Sequence, residues 1–241
     1  ARPLALAAED YNAIRNANED STVYIHSKKS RKDGQGVSEN SYGTGVVIED
    51  TGHVMTASHV ILEEDEEHVV ETSGSIRSRY SHPLRLELVK RDNVDVAIAM
   101  FPDVGQKWKP VRFGDSKNTP KDAPLYTLGF PLNSDLTSAT GMLSNKFGPK
   151  GQWQTTLPIE RGNSGAPIFD LNGRVVAIAT GGNDAAKAIT YAIPEFYVTG
   201  LRLASAKSDP TISFTKIVEP SDPNASAISK KFTFYRAVDH E

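Results

Sequence analysis

The sequence predicts an all-β fold. Short runs rich in β-branched residues recur along the chain, and Gly, Asp, Asn or Pro separates them, which is typical of strands joined by turns. No long helical pattern lies between these runs, so a barrel or a sandwich is favoured over a parallel α/β sheet. The 241 residues, 38% of them hydrophobic, suffice for one large β domain or two small ones.

The N-terminal segment, residues 1–20, is predicted to be the exception, a helix of about four turns. Its apolar residues recur at offsets of three and four and form one narrow face: Leu4, Ala7, Ala8, Tyr11 and Ile14. We expect this face either to dock on the protein's own body or to contact a regulatory partner or a second copy of the chain. The sequence leaves both readings open.

Strand-like runs fill the chain from Ser21 onwards. They read STVYIHS, TGVVIED, HVMTASHVI, HVVETS, LRLELVKR, VAIAMF, APLYTLGF, RVVAIAT and AITYAIP. Three polar stretches are expected to be surface loops: SKKSRKDGQGVSENSYG (27–43), EEDEEH (63–68) and GDSKNTPKD (114–122). Beyond Pro194 the pattern predicts a helix over 195–204 and two further strand-like pieces, 211–218 and 230–238.

Composition excludes several classes of partner and chemistry. The net charge is only −3, and 27 basic residues are scattered among 30 acidic ones, so no nucleic-acid footprint is visible. No apolar run approaches the roughly 18 to 20 residues that a membrane-spanning helix needs. Cysteine is absent, which excludes disulfides, thiolate metal sites and a cysteine nucleophile.

A serine framed by glycines is the first candidate for catalysis. It stands in PIERGNSGAPIFDLNGRVVAIATG, residues 158–181. The flanking glycines let the backbone turn sharply and point successive N–H groups into one small space, as an oxyanion hole requires. We expect Gly162, Asn163 and Ser164 to form this hole, with the amides of Gly162 and Ser164 as donors. The same residue types also suit an ordinary turn, so this segment alone does not decide.

Catalysis by serine also needs an imidazole and a buried carboxylate that orients it. His59, in VMTASHVI, lies where an apolar strand runs into a small-residue turn, and Asp95 directly precedes the apolar run VAIAMF. Taken singly, His59 could be structural and Asp95 could cap backbone amides; Asp92 competes with Asp95 but lies further out in the polar stretch. The order His59, Asp95, Ser164 excludes the α/β hydrolases, which run serine, acid, histidine, because only His240 follows Ser164.

No metal and no other cofactor is expected. His53, His59 and His68 lack the i, i+4 spacing of a helical zinc site, and no His-Glu-x-x-His motif is present. The acidic run 63–67 does not follow a calcium-loop pattern and is read as a solvated loop. Serine chemistry itself proceeds without a cofactor.

Five segments together resemble the successive motifs of the trypsin-like (chymotrypsin-fold) serine peptidases, most of all the bacterial high-temperature-requirement (HtrA/Deg) branch. They are GTGVVIEDTGHVMTASHVI, DVAIAMF, LYTLGFPL, TSATGMLSN and IERGNSGAPIFDLNGRVVAIATG, and they cover about residues 40–200. The resemblance implies two six-stranded antiparallel β-barrels, 21–105 and 106–200, between the N-terminal helical segment 1–20 and a C-terminal extension, 201–241. About 40 residues beyond the second barrel are too few for the PDZ module of this branch.

The resemblance also implies an activity. His59 and Asp95 of the first barrel and Ser164 of the second would form a catalytic triad that hydrolyses peptide bonds through an acyl-enzyme intermediate. Protein or peptide substrates, a role in protein quality control or regulated proteolysis, and a bacterial periplasmic or secreted location follow from the resemblance alone. The alternatives are a catalytically silent barrel scaffold or chaperone that binds unfolded or partner proteins, and an esterase that acts on small acyl substrates.

Alignment to the family further implies the walls of the pocket for the side chain that precedes the scissile bond. None of these residues is charged, so an uncharged, aliphatic or small side chain is expected there. The residues are Pro158, Ile159, Ala179, Thr180, Gly181, Ala188, Ile189 and Thr190.

Overall fold

The computed structural model describes residues 8–81, 83–91, 94–102, 105–183 and 186–198. Within these ranges the fold is all-β, as predicted, with one α-helix, α1 (Ala8–Asn18), and a helical turn at 195–198. The strands are β1 (Thr22–Arg31), β2 (Val37–Val47), β3 (His53–Ala57), β4 (His68–Ile76), β5 (Leu84–Arg85), β6 (Glu87–Arg91), β7 (Val96–Met100), β8 (Pro124–Gly129), β9 (Thr137–Asn145), β10 (Trp153–Thr155), β11 (Pro167–Phe169), β12 (Val175–Asn183) and β13 (Ala186–Pro194).

The first half of the chain forms one antiparallel sheet, in which seven strands are counted where six were predicted. Its order is β5-β4-β1-β2-β3-β7-β6. The difference arises because the predicted run 84–91 is interrupted at Leu86, whose N–H donates to the carbonyl of Thr72 (2.8 Å). The residues before Leu86 pair with β4 and those after it pair with β7, so one bent run joins both edges of the curled sheet.

The second half forms the predicted closed six-stranded barrel. Its strand order is β10-β13-β12-β11-β8-β9, and all of its pairs are antiparallel. β8, β11 and the first part of β12 are fully buried or nearly so, which accounts for their continuous apolar runs. The barrel therefore supplies a rigid base for the loop that precedes β11.

Three hydrophobic clusters form the core. One fills the first sheet and contains Phe101 and Trp108, and another fills the second barrel around Trp153. The third lies between the two halves, where Met55 of β3 and Phe130 at the end of β8 belong to the same buried cluster. This shared cluster fixes the two halves against each other, so a site at their junction is held from both sides.

Helix α1 docks on the protein's own second barrel. Tyr11 stacks on Tyr126 of β8 with ring centroids 5.6 Å apart, and Ile14 is buried in the cluster between the halves. The Asn18 amide donates to the carbonyl of Gly173 (3.4 Å). The helical prediction is thus confirmed over 8–18, whereas residues 1–7 lie outside the described part of the chain.

One predicted surface loop is wrong. Most of segment 27–43 belongs to the hairpin of β1 and β2, which turns at residues 32–36. The first six residues of β2 are exposed or half-buried and mainly polar, so the apolar alternation that signals a strand is missing there. Segment 114–122 contains no strand, as predicted, and neither does 63–68 except for His68, which begins β4.

Several predictions lie outside the described residues. These are the strand-like pieces 211–218 and 230–238, the larger part of the 195–204 helix, and the 201–241 extension as a whole. Among the residues that are described, no helix is long and apolar enough to cross a membrane.

Candidate active site

The structure brings His59 and Asp95 into direct contact. His59 lies in a 3-10 turn, Ser58–Val60, that directly follows β3, and Asp95 directly precedes β7, the strand that pairs with β3. His59 Nδ1 lies 2.8 Å from Asp95 Oδ2 and 3.0 Å from Oδ1. Because an ionised carboxylate only accepts, Nδ1 carries the proton and the neutral ring presents a lone pair at Nε2.

The backbone holds the Asp95 carboxylate in this position. The His59 amide donates to Asp95 Oδ1 (3.0 Å), and the Ser58 amide donates to the Asp95 carbonyl (3.0 Å). Asp95 itself has φ 70°, in the left-handed region that aspartate tolerates better than most residues. The carboxylate is less buried than expected, since 31% of the Asp95 side chain and 49% of the His59 side chain remain exposed.

Ser164 lies in a turn between β10 and β11 whose conformation requires glycine. Gly162 has φ 92° and Gly165 has φ 85°. A Cβ on Gly162 would collide with the carbonyl oxygen of Phe130, and a Cβ on Gly165 would collide with Thr44 and Thr56. Both glycines are therefore needed for the positive φ and for close contact with neighbouring backbone.

Every carbonyl of the loop 161–164 accepts a hydrogen bond from inside the protein. The Leu132 amide donates to the Arg161 carbonyl (2.6 Å), and the Ala166 amide donates to the Asn163 carbonyl (2.9 Å). The carbonyls of Gly162 and Ser164 both accept hydrogen bonds from Thr44. All four carbonyls of this loop are thus bound within the protein.

Thr44 of β2 contacts the loop through two groups. Its side-chain hydroxyl donates to the Gly162 carbonyl (2.7 Å), and its amide donates to the Ser164 carbonyl (2.8 Å). Sequence reasoning did not single out Thr44, although it stands in the quoted motif GTGVV. The available signal was a polar residue between two glycines at the start of a buried apolar strand.

The two amides on either side of the Asn163 amide are left without a protein acceptor. Within the described ranges, the N–H groups of Gly162 and Ser164 donate to no protein group, whereas the Asn163 N–H donates to the Glu160 carbonyl (3.0 Å). This bond spans a four-residue turn with positive φ at its third residue, which is the type II pattern. The Asn163 amide is thus occupied within the protein, whereas the amides of Gly162 and Ser164 are not.

Ser164 lies near the His59 turn but does not bind His59 in this conformation. The Ser164 carbonyl and both γ-carbons of Val60 lie within 3.0 Å of the position that a Cβ on Gly43 would take. The Ser164 hydroxyl donates instead to the carbonyl of Thr180 in β12 (3.3 Å). Among the described residues, the hydroxyl has no hydrogen bond to His59 Nε2.

The residues expected to line the specificity pocket lie on two neighbouring strands, β12 and β13, and in the loop that follows β10. Thr190 of β13 pairs with Thr155 of β10, and on its other side it pairs with Gly182 of β12, next to Gly181. The Thr190 hydroxyl is buried and bonds to Thr155 Oγ1 (2.6 Å) and to the carbonyl of Leu157 (2.9 Å). It is therefore occupied within the protein.

The other residues of this predicted pocket differ in exposure. Ile159 and Ala179 are buried in the core of the second barrel, and Pro158 is exposed. Thr180, Gly181 and Ile189 are half-buried, and space beside Gly181 is open. Ala188 lies in β13. No described His, Asp or Glu residues form a cluster of three or more that could hold a metal ion.

A comparison with protein families finds one match over most of the site. The model of the trypsin-like peptidase domain matches residues 43–178, which include the His59 turn, Asp95 and the Ser164 loop. This range spans more than half of the chain.

Curated relatives agree with the family match. A protein of Halomonas elongata named "Probable periplasmic serine endoprotease DegP-like" is 31% identical over 153 residues, which cover 60% of this chain and 30% of that protein. A protein of the same name from Pseudomonas putida is 32% identical over 145 residues, 57% of this chain and 28% of the relative. The chain thus spans about a third of the length of the curated relatives it matches.

Solved structures share the fold at low sequence identity. A serine endoprotease from Yersinia pestis aligns with a TM-score of 0.66 at 20% identity, over 83% of this chain and 67% of that one. The active form of the Rv3671c protease from M. tuberculosis aligns with a TM-score of 0.63 at 22% identity, over 83% and 91%. These structural matches support the assignment of the fold.

Proposed function

Because the chain belongs to the trypsin-like peptidase domain family, we propose that it is a serine endopeptidase. The observation that carries the proposal is the His59–Asp95 contact beside a serine turn with two unoccupied amides. An imidazole fixed in one tautomer, a hydroxyl and a pair of convergent N–H groups are the parts that acyl transfer requires.

Each residue has a defined role in the proposed reaction. Ser164 Oγ attacks the carbonyl carbon of the scissile bond while His59 Nε2 takes its proton, and Asp95 stabilises the imidazolium that forms. The amides of Gly162 and Ser164 donate to the oxygen that becomes negative. His59 then protonates the leaving amine, and a water molecule, deprotonated by His59, hydrolyses the acyl-enzyme.

The Thr180 carbonyl favours a peptide over a small ester as substrate. Thr180 lies in β12 beyond the residues that pair with β11. At Thr180, the edge of β12 that faces β11 is therefore unpaired among the described residues. An extended substrate that pairs with this edge would donate a backbone N–H to the strand, as in β-strand addition. Such a donor would compete with Ser164 Oγ for the Thr180 carbonyl and release the hydroxyl towards His59.

The scaffold function remains the competing proposal, and a proteolysis experiment separates the two. The protein is incubated with an unfolded test protein, and new termini are identified by mass spectrometry. We expect cleavage by the wild type and none by Ser164→Ala, which removes only the nucleophilic oxygen. Binding without cleavage by the wild type would favour the scaffold and contradict the peptidase.

The same data measure specificity. We propose that the residue before each cleaved bond is uncharged and aliphatic or small, since the described residues of the predicted pocket carry no charge. A cleavage profile dominated by Arg, Lys or Glu at this position would contradict the assignment of the pocket.

Location and biological role rest on the relatives. The curated relatives carry "periplasmic" in their names, and we propose the same location here. A role in protein quality control or regulated proteolysis, and a partner or oligomer contact through the N-terminal segment, remain proposals of the same kind.

A further inference from the structure

We propose that Thr44 is a positioning residue that keeps the oxyanion-hole loop in its donating conformation. It belongs to the first sheet, yet it binds two carbonyls of the loop in the second barrel. The inference rests on the proposed function, because it assigns Thr44 a task in the same reaction. Thr44 would act only through the loop and would not touch the substrate.

The direction of the Thr44 hydroxyl is determined by its two partners. The Phe130 amide can only donate, and it lies 3.1 Å from Thr44 Oγ1. The hydroxyl therefore accepts from Phe130 and must give its single proton to the Gly162 carbonyl, 2.7 Å away. The residue is fully buried, so no solvent molecule reaches it to replace either bond.

The backbone of Thr44 connects the same loop to the strand that precedes His59. Its N–H binds the Ser164 carbonyl (2.8 Å), and its carbonyl accepts from Thr56 Oγ1 (2.7 Å) in β3. The three polar groups of Thr44 thus make four hydrogen bonds. Gly43 lets both the His59 turn and the loop approach, since a Cβ there would lie 2.5 Å from both γ-carbons of Val60 and 3.0 Å from the Ser164 carbonyl oxygen.

Gly162 needs this external support because glycine restricts its own backbone least. At its φ of 92°, its carbonyl points to Thr44, and its amide donates to no described protein group. Without the Thr44 hydroxyl, the Gly162 carbonyl and the Phe130 amide would both be buried without partners, which is unfavourable. Rotation of the peptide between Gly162 and Asn163 would relieve part of this cost, but it would break the bond of the Asn163 N–H to the Glu160 carbonyl (3.0 Å) and so open the turn that carries the Gly162 amide.

The test compares Thr44→Val, Thr44→Ser and Thr127→Val. Valine removes the hydroxyl and keeps the branched shape, and serine keeps the hydroxyl. Thr127 is the matched control because its buried hydroxyl donates to the Pro167 carbonyl (2.8 Å) and does not contact the loop. Steady-state kinetics on a peptide substrate are measured beside the Tm of each variant.

We expect Thr44→Val to lower kcat by about 10- to 100-fold at nearly unchanged KM, less than the about 100- to 1,000-fold effect of deleting an oxyanion donor outright. Thr44→Ser should retain kcat within about three-fold and Thr127→Val within about two-fold, although both valine variants lose Tm. A wild-type kcat in Thr44→Val, or an equal loss in Thr127→Val, would overturn the proposal.

Amide hydrogen exchange keeps the proposal testable without turnover. Thr44→Val should speed exchange at Phe130 and alter it across 161–165, whereas Thr127→Val should leave these amides unchanged. If the wild type cleaves nothing, the proposed function fails and the exchange data alone decide the role of Thr44. Unchanged exchange at Phe130 and in the loop would overturn that role.

Discussion

The two halves of the candidate site are built from different groups. The first sheet contributes an acid–base pair, in which side chains of His59 and Asp95 touch each other and remain partly exposed. The second barrel contributes a backbone turn around Ser164, in which glycines and anchored carbonyls determine where two amides point. The first half therefore depends on side-chain chemistry, and the second depends on backbone conformation.

Because of this difference, substitutions in the two halves should affect catalysis and stability to different extents. A side-chain change in the acid–base pair should abolish catalysis and leave the fold nearly unchanged, because both groups are near the surface. A change in the serine turn should affect both, because its glycines are buried against Thr44, Thr56 and Phe130.

Asp95→Asn should lower kcat/KM by about 10⁴-fold, because an amide that donates to Nδ1 favours the tautomer with the proton on Nε2. The Tm should change little. Asp92→Asn, at the competing carboxylate, is the control and should stay within a few-fold of the wild type. Peptide hydrolysis and thermal unfolding measure both, and a full loss with Asp92→Asn and none with Asp95→Asn would reassign the acid.

Gly162→Ala should lower kcat by about 100- to 1,000-fold, because the loss of one donor of an oxyanion hole has this effect. It should also destabilise the fold, since the new Cβ would meet the Phe130 carbonyl at a positive φ. Gly36→Ala is the matched control, with φ 102° and no atom within 4 Å of the new Cβ.

The control should therefore show backbone strain alone. We expect Gly36→Ala to lower the free energy of unfolding by about 1 kcal/mol and to keep full activity. Equal activities of the two alanine variants, measured beside urea unfolding, would contradict the assignment of the turn as a hole.

The pH dependence of stability tests the packing of Tyr24 at the junction between the two halves. It lies in β1, packs edge-on against Phe130 (5.4 Å between centroids) and donates to Asn133 Oδ1 (2.5 Å). Burial, with a smaller contribution from nearby Tyr42, raises the pKa of Tyr24 to about 12 from its usual 10.0. Between these values the unfolded chain loses the phenol proton first, so stability is full below pH 10 and falls as the pH rises towards 12.

Tyr24→Phe should remove this pH dependence. Because one unit of pKa corresponds to about 1.4 kcal/mol, the wild type should lose up to about 2 to 3 kcal/mol more than the variant between pH 10 and 12. Urea unfolding at a series of pH values measures this difference. Tyr126 and Tyr197 also have raised pKa values, so the difference between the two proteins isolates Tyr24. Parallel curves would contradict a buried phenol at the junction.

Sequence patterns predicted the parts of the fold that have apolar alternation or apolar runs. They missed the extended β1–β2 hairpin, whose outer residues are polar and exposed, and the three-residue strands β10 and β11, which are too short to show a period. The bend at Leu86 was also missed, because it depends on which strand each side of the run pairs with.

The same limit applies to the site. His59, Asp95 and Ser164 were recognisable because each stands in a distinctive local context, and the structure brings His59 and Asp95 together. Thr44 was not recognisable from the sequence, because its importance comes from hydrogen bonds to residues more than 80 positions away. The hydrogen bond of Ser164 to Thr180 depends on a side-chain rotamer that the sequence does not specify.

A crystal structure of the fluorophosphonate adduct would show whether the serine, the imidazole and the two amides meet at one point, since the phosphonyl group imitates the tetrahedral intermediate. We predict phosphorus bonded to Ser164 Oγ, with its oxygen about 2.7 to 3.1 Å from the amide nitrogens of Gly162 and Ser164. His59 Nε2 should lie within hydrogen-bond distance of the adduct, with Asp95 still on Nδ1. A label on another residue, or an adduct out of reach of His59 and both amides, would contradict the account.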